Sequence, residues 1–154
     1  MGIKSEHISH RRRRTRRRNP IKLPYLPRGS LLTPGENRFY QYGLKPALED
    51  LYLISFKVRL ADVITVNDWE GIHGRRIAQK HLDFVLTTRA TQIVAAVELN
   101  DSSHSAANRK QRDAFVTEAL RVAGIPLIAF PIYGQYDQQK IRNRVLTAIH
   151  SFRR

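Results

Sequence analysis

Two apolar runs, each interrupted by a single acid, constrain the fold most: HLDFVL carries Asp83 and VAAVELN carries Glu98. Each run reads as a β-strand. Taking an unpaired charge out of water is costly, so a carboxylate in such company needs a partner. The polar link over 87–92 is short enough for a hairpin. Side chains alternate along a strand, so Leu82, Phe84 and Leu86 would share one face and Asp83 and Val85 the other. In the second run Ile93, Ala95, Val97 and Leu99 share a face, with Val94, Ala96 and Glu98 opposite. An antiparallel register pairing Asp83 with Glu98 also aligns Val85 with Ala96 and Thr87 with Val94. It sets two carboxylates on one face of a sheet, an arrangement suited to a hard divalent cation. The alternative is two strand-end acids turned to solvent or salt-bridged to Lys80 or Arg112.

The chain has 154 residues, 42% of them hydrophobic, enough for one core but not two. It has no cysteine, which excludes disulfides, zinc-thiolate sites and a thiol nucleophile and suits a reducing compartment. No apolar run reaches the ~20 residues of a membrane span, and the basic start lacks the apolar segment of a signal peptide. A cytoplasmic protein with no membrane partner is the expectation. Charge points to the partner. Of a net +14, the first 22 residues carry +8, from nine basic residues against one acid. The remaining 18 basic and 12 acidic residues give +6. Arg11, Arg12, Arg13, Arg14, Arg16, Arg17 and Arg18 form an arm that repels itself and has almost nothing to bury, so alone it should be disordered. A polyanion would neutralise it with release of counterions, which makes nucleic acid, DNA above all, the expected partner. A solubilising tail or a localisation signal is the alternative.

Prolines 20, 24 and 27 make an extended connector. Thr33-Pro34-Gly35-Glu36 then has the form of a helix start, with Thr33 as N-cap and Glu36 three residues on. Phe39, Tyr40, Tyr42, Leu44, Ala47, Leu48 and Leu51 form the apolar face of that helix, with Pro46 set to kink or end it. The alternation over 52–60 predicts a first strand, and Gly71 to Gly74 a break before a short polar segment. After the two acid-bearing strands, Asn108 is placed to cap a helix that stops at Gly124. The run over 125–132 reads as a buried strand parallel to 93–99, and Asp137 as the cap of a last helix with Ile141, Val145, Leu146, Ile149 and Phe152 inward. The expected order is α-β-β-β-α-β-α, with helices on both faces of a mixed sheet.

That order, with HLDFVL, VELNDSSH, RKQRDAF and AGIPLIAF in series, resembles the PD-(D/E)XK nuclease superfamily. Within it, the resemblance is to the compact branch related to very-short-patch-repair endonucleases, which includes uncharacterised bacterial domains; PYLPRGSLLTPGENRFY resembles the entry to such a domain. The resemblance implies a restriction-endonuclease-like α-β-β-β-α-β core over 23–154, beyond a basic arm over 1–22. It implies Asp83, Glu98 and the Leu99 carbonyl as ligands of Mg²⁺ or Mn²⁺, and Glu36 as a helix-borne acid that orients a metal-bound water or a second ion. A capping box uses a glutamate at the same offset as Glu36, so that alternative stays open. The superfamily lysine, two residues after the second acid, is Asn100 here, which supplies no positive charge. His104, in the loop after Glu98, is the candidate for moving a proton in its place, against a role bonding its own turn. Lys110 and Arg112 are candidate phosphate contacts, with a solvated helix face as the alternative. The expected function is a metal-dependent endonuclease hydrolysing DNA phosphodiester bonds. The alternative is a catalytically inactive DNA- or RNA-binding module on the same fold.

Overall fold

Thr33 opens the first helical stretch as the sequence predicts: its side chain accepts from the Glu36 N–H (3.3 Å), and Glu36 Oε2 accepts from the Thr33 N–H (2.9 Å). In the computed structural model, which describes residues 23–100, 107–132 and 134–152 and only the backbone over 107–113, this stretch runs in three pieces. Helix α1 (Pro34–Phe39) passes through a π-turn (Tyr40–Leu44) into α2 (Lys45–Leu48). The kink expected at Pro46 is thus taken up by the turn before it, where the Lys45 N–H reaches back to the Tyr40 carbonyl. The extra residue rotates the helix face, so Phe39, Leu44, Ala47 and Leu48 are buried while Tyr42, assigned inward from its spacing, is exposed. Leu51 lies past the helix and is exposed too.

One mixed sheet follows, of β1 (Leu53–Arg59), β2 (His81–Thr87), β3 (Ile93–Asn100) and β4 (Leu127–Pro131), side by side in that order. The first three run antiparallel and β4 lies parallel to β3, as a helical crossover requires. Helices α1 and α2, with α5 (Gln138–Phe152), cover one face around Phe84, Leu86, Ala95, Val97 and Ile128. The other face carries Val85 and Ala96 with Leu60, Val63, Ile77, Leu82 and Leu120. Helix α4 ends and helix α5 begins on the predicted residues. Helix α4 (Ala107–Val122) closes with Gly124 at φ 76°, its N–H on the Arg121 carbonyl and that of Ile125 on the Leu120 carbonyl. Asp137 Oδ1 caps α5 through the Lys140 N–H (3.0 Å). Ile141, Val145 and Ile149 point inward, Leu146 is half-buried, and Phe152, the last residue of the helix, is exposed.

Four further expectations need correction. Residues 72–78 form a helix, α3 (Ile72–Ala78), rather than a break. Gly71 begins it with its N–H on Asp68 Oδ1 (3.0 Å), and Gly74 is needed because a Cβ there would lie 1.9 Å from the Trp69 carbonyl oxygen. Asn108 lies within α4, which starts at Ala107, and so does not cap it. The β2–β3 register pairs Val85 with Ala96 as expected but Thr87 with Ile93, not Val94. An irregularity at Leu86/Thr87, beside a turn with Thr91 at φ 62°, adds a residue and brings Val94 into the first core. Leu82 does not share a face with Phe84. Phe56 and Phe84 pack in the first core, whereas Val58 and Leu82, two residues away on each paired strand, pack in the second. The alternation breaks at Lys57 and Asp83, and Lys57 has φ 50°.

Candidate functional site

The break in alternation turns three side chains toward one another. Lys57, from β1, donates from Nζ to Glu36 Oε1 (2.6 Å) and to Asp83 Oδ1 (2.8 Å). Asp83 Oδ2 accepts from the backbone N–H of Leu99 on β3 (3.0 Å). The last paired residues of β2 and β3 at this end are Phe84 and Val97. The ladder does not continue to the expected pair of Asp83 with Glu98; the Asp83 side chain, rather than its backbone, holds β3 at Leu99. Glu36 serves both roles weighed for it, one oxygen in the capping box and the other on Lys57. Side-chain exposures of 27% for Lys57, 13% for Glu36 and 16% for Asp83 keep the charges partly shielded from water and salt.

Left-handed backbone at a lysine costs about 1–2 kcal/mol relative to the right-handed region, so the surroundings must hold it there. Burial pushes the Glu36 carboxyl up, but the Lys57 ammonium and the Thr33 N–H outweigh it and leave it below the ordinary value of 4.5. Burial likewise works against the Lys57 charge, yet its bonds to Asp83 and Glu36 hold the ammonium above the ordinary 10.5. The signs give a pH dependence of stability. The Glu36 contribution is full above pH 4.5 and is lost as pH falls through the lowered folded value; the Lys57 contribution is full below pH 10.5 and is lost as pH rises through the raised one. Thermal melts on acidification below pH 4.5 should therefore fall more steeply for the parent than for Glu36→Gln. Equal slopes would show that Glu36 carries no folding linkage.

Glu98 is half-buried and opens onto a cavity of about 330 Å³ on the α4 side of the sheet. Asn100, two residues on, lines the same cavity and is exposed. Among the described residues no group of three or more His, Asp or Glu is arranged to hold a metal. The ligands that the resemblance implies, Asp83, Glu98 and the Leu99 carbonyl, would make a hard, oxygen-only donor set of low count. It suits a weakly held Mg²⁺ or Mn²⁺ that keeps much of its hydration, and does not suit zinc.

Of the residues named from the sequence, Glu36 and Asp83 are joined through Lys57, and Asp83 is joined to Leu99 directly. The partner of Asp83 is Lys57, not Lys80, which lines the cavity instead. His104 and the arm residues 11–18 lie outside the described residues. Lys110 and Arg112 fall on the part of α4 whose backbone alone is described. Lys57 is the residue that sequence reasoning missed. Its signal was a cation between the apolar Phe56 and Val58 of LISFKVR, but only the β1–β2 register sets it against Asp83.

The family model described as "Protein of unknown function (DUF2726)" matches residues 28–149. The chain belongs to that family. The matched span contains Glu36, Lys57, Asp83 and Glu98 and begins after the arginine-rich arm of this DUF2726 chain. No curated protein and no solved structure matches it. Among the described residues no helix is long and apolar enough to cross a membrane.

Proposed function

We propose that this chain is a divalent-metal-dependent nuclease of PD-(D/E)XK type, hydrolysing DNA phosphodiester bonds where β2 and β3 part. The observation that carries the reading is Lys57 held between Glu36 and Asp83, in half-buried surroundings and on left-handed backbone. Strain and partly buried charge gathered at one point are the marks of a functional site. Asp83, Glu98 and the Leu99 carbonyl would hold Mg²⁺ or Mn²⁺, which when bound supplies Lewis-acid polarisation of the scissile phosphate. Lys57 brings the positive charge that Asn100 cannot, from a different strand, and Glu36 fixes where that charge sits. His104 is the proposed proton-transfer group. Residues 11–18, Lys110 and Arg112 are the proposed phosphate contacts that position the duplex.

Supercoiled plasmid tests the reading. The full chain should nick it with Mn²⁺ or Mg²⁺ and not with EDTA, and Asp83→Ala and Glu98→Ala should each lose about a hundredfold or more. Cleavage unchanged by both substitutions would place the activity elsewhere.

One observation favours the inactive binding module: both Asp83 oxygens accept hydrogen bonds from the protein itself, one from Lys57 and one from Leu99. On that reading binding needs no divalent ion and survives loss of both acids. Under either reading, deletion of residues 1–19 should weaken DNA binding. It should also flatten the slope of log affinity against log salt by ~0.9 for each duplex phosphate that the arm neutralises. A slope unchanged by the deletion would remove the arm from the interface.

A further inference from the structure

The cavity beside Glu98 has more structure than a metal site needs. It lies between the end of α3, the start of β2, the end of β3, β4 and α4. Its floor is apolar: Val116, Leu127 and Ala129. Its rim carries the amides of Gln79 and Asn100, both exposed, with Lys80 and His81 beside them. About 330 Å³ is at the low end of small-molecule sites, so the occupant is small.

We propose that this cavity receives one unstacked nucleobase of the DNA strand whose phosphate lies at Asp83 and Glu98. A nucleobase is flat and apolar on its faces, and an amide side chain can bond a base edge in a donor–acceptor pair. Val116, Leu127 and Ala129 offer the surface for the face, and Gln79 and Asn100 offer amides for the edge. Lys80, next to Gln79, supplies a cation for a phosphate of that nucleotide. The substrate class follows: unstacking is cheapest where a base is already unpaired, so single-stranded or mismatched DNA is preferred over perfect duplex. The choice of ligand rests on the nuclease reading, and the experiment separates the two because it is run without metal.

The ¹⁵N-labelled full chain is titrated in EDTA with deoxynucleoside 5′-monophosphates and, separately, with 2-deoxyribose 5-phosphate. The nucleotides should shift the Gln79 side-chain amide and the backbone signals of Thr117 and Ala129, and the sugar phosphate should not. Ala129→Leu fills the floor and should abolish those shifts. Gln79→Ala, at an exposed helix end, should weaken nucleotide binding about tenfold. The same spectra report whether each variant is folded; if Ala129→Leu is not, Gln79→Ala decides. Equal shifts from the sugar phosphate, no shifts at millimolar nucleotide, or undiminished binding by Gln79→Ala would overturn the proposal. Base-dependent shifts from a chain that fails to nick plasmid would uphold the pocket and reject the nuclease.

Discussion

Lys57→Met is expected to lose about a hundredfold or more in metal-dependent DNA cleavage while binding Mn²⁺ more tightly than the parent. Lys57 makes both bonds that tie Glu36 to Asp83, so removing it takes a cation from the place where phosphate charge would develop. A single preorganised donor at such a place is worth about 10²–10³ in rate. The same change leaves two half-buried carboxylates facing each other with no counter-ion, which destabilises the metal-free fold. A divalent ion relieves that repulsion, so Mn²⁺ should raise the melting temperature of Lys57→Met by more than it raises the parent's. Lys57→Gly separates charge from strain. It loses the same charge but removes the cost of a side chain at φ 50°, so it should melt above Lys57→Met while cleaving no better. Full activity in both variants would dismiss Lys57 from the chemistry.

Phe84→Ala should cost about 3–5 kcal/mol of stability, a large share of the 5–15 kcal/mol of a typical domain. The ring is fully buried and lies edge-on to Phe39 (5.8 Å) and Phe56 (6.1 Å) and parallel to Tyr40 (6.4 Å). Phe39 sits on the helix that carries Glu36, Phe56 precedes Lys57, and Phe84 follows Asp83, so one aromatic cluster holds all three charged residues in place. Thermal melts should show a fall of about 10 °C or more. Leu53→Ala, at an exposed position, should show little change. A small effect at Phe84 would mean that neighbouring rings close the gap.

The strands, their order and the parallel pairing of β4 with β3 were legible because apolar runs with clear stops at Gly124 and Asp137 leave little freedom. Helix α3 was not, since Gly74 reads as a breaker until Trp69 is seen packed on it. Alternation assumes unbroken extended backbone, and no local signal marks a lysine at φ 50°, so strict alternation puts Leu82 on the wrong face. Asp83 and Glu36 were visible as an acid in a strand and an acid in a capping box. Their meeting was not, because the long connection between β1 and β2 leaves the register that brings in Lys57 undetermined by sequence.

Paramagnetic broadening of the ¹⁵N-labelled full chain by substoichiometric Mn²⁺ tests the central claim most directly, because it maps weak binding without requiring turnover. Signals of Asp83, Phe84, Glu98 and Leu99 should broaden first, Mg²⁺ should compete, and Asp83→Ala and Glu98→Ala should each abolish the effect. Broadening centred elsewhere on the chain, or unchanged in both variants, would contradict the claim.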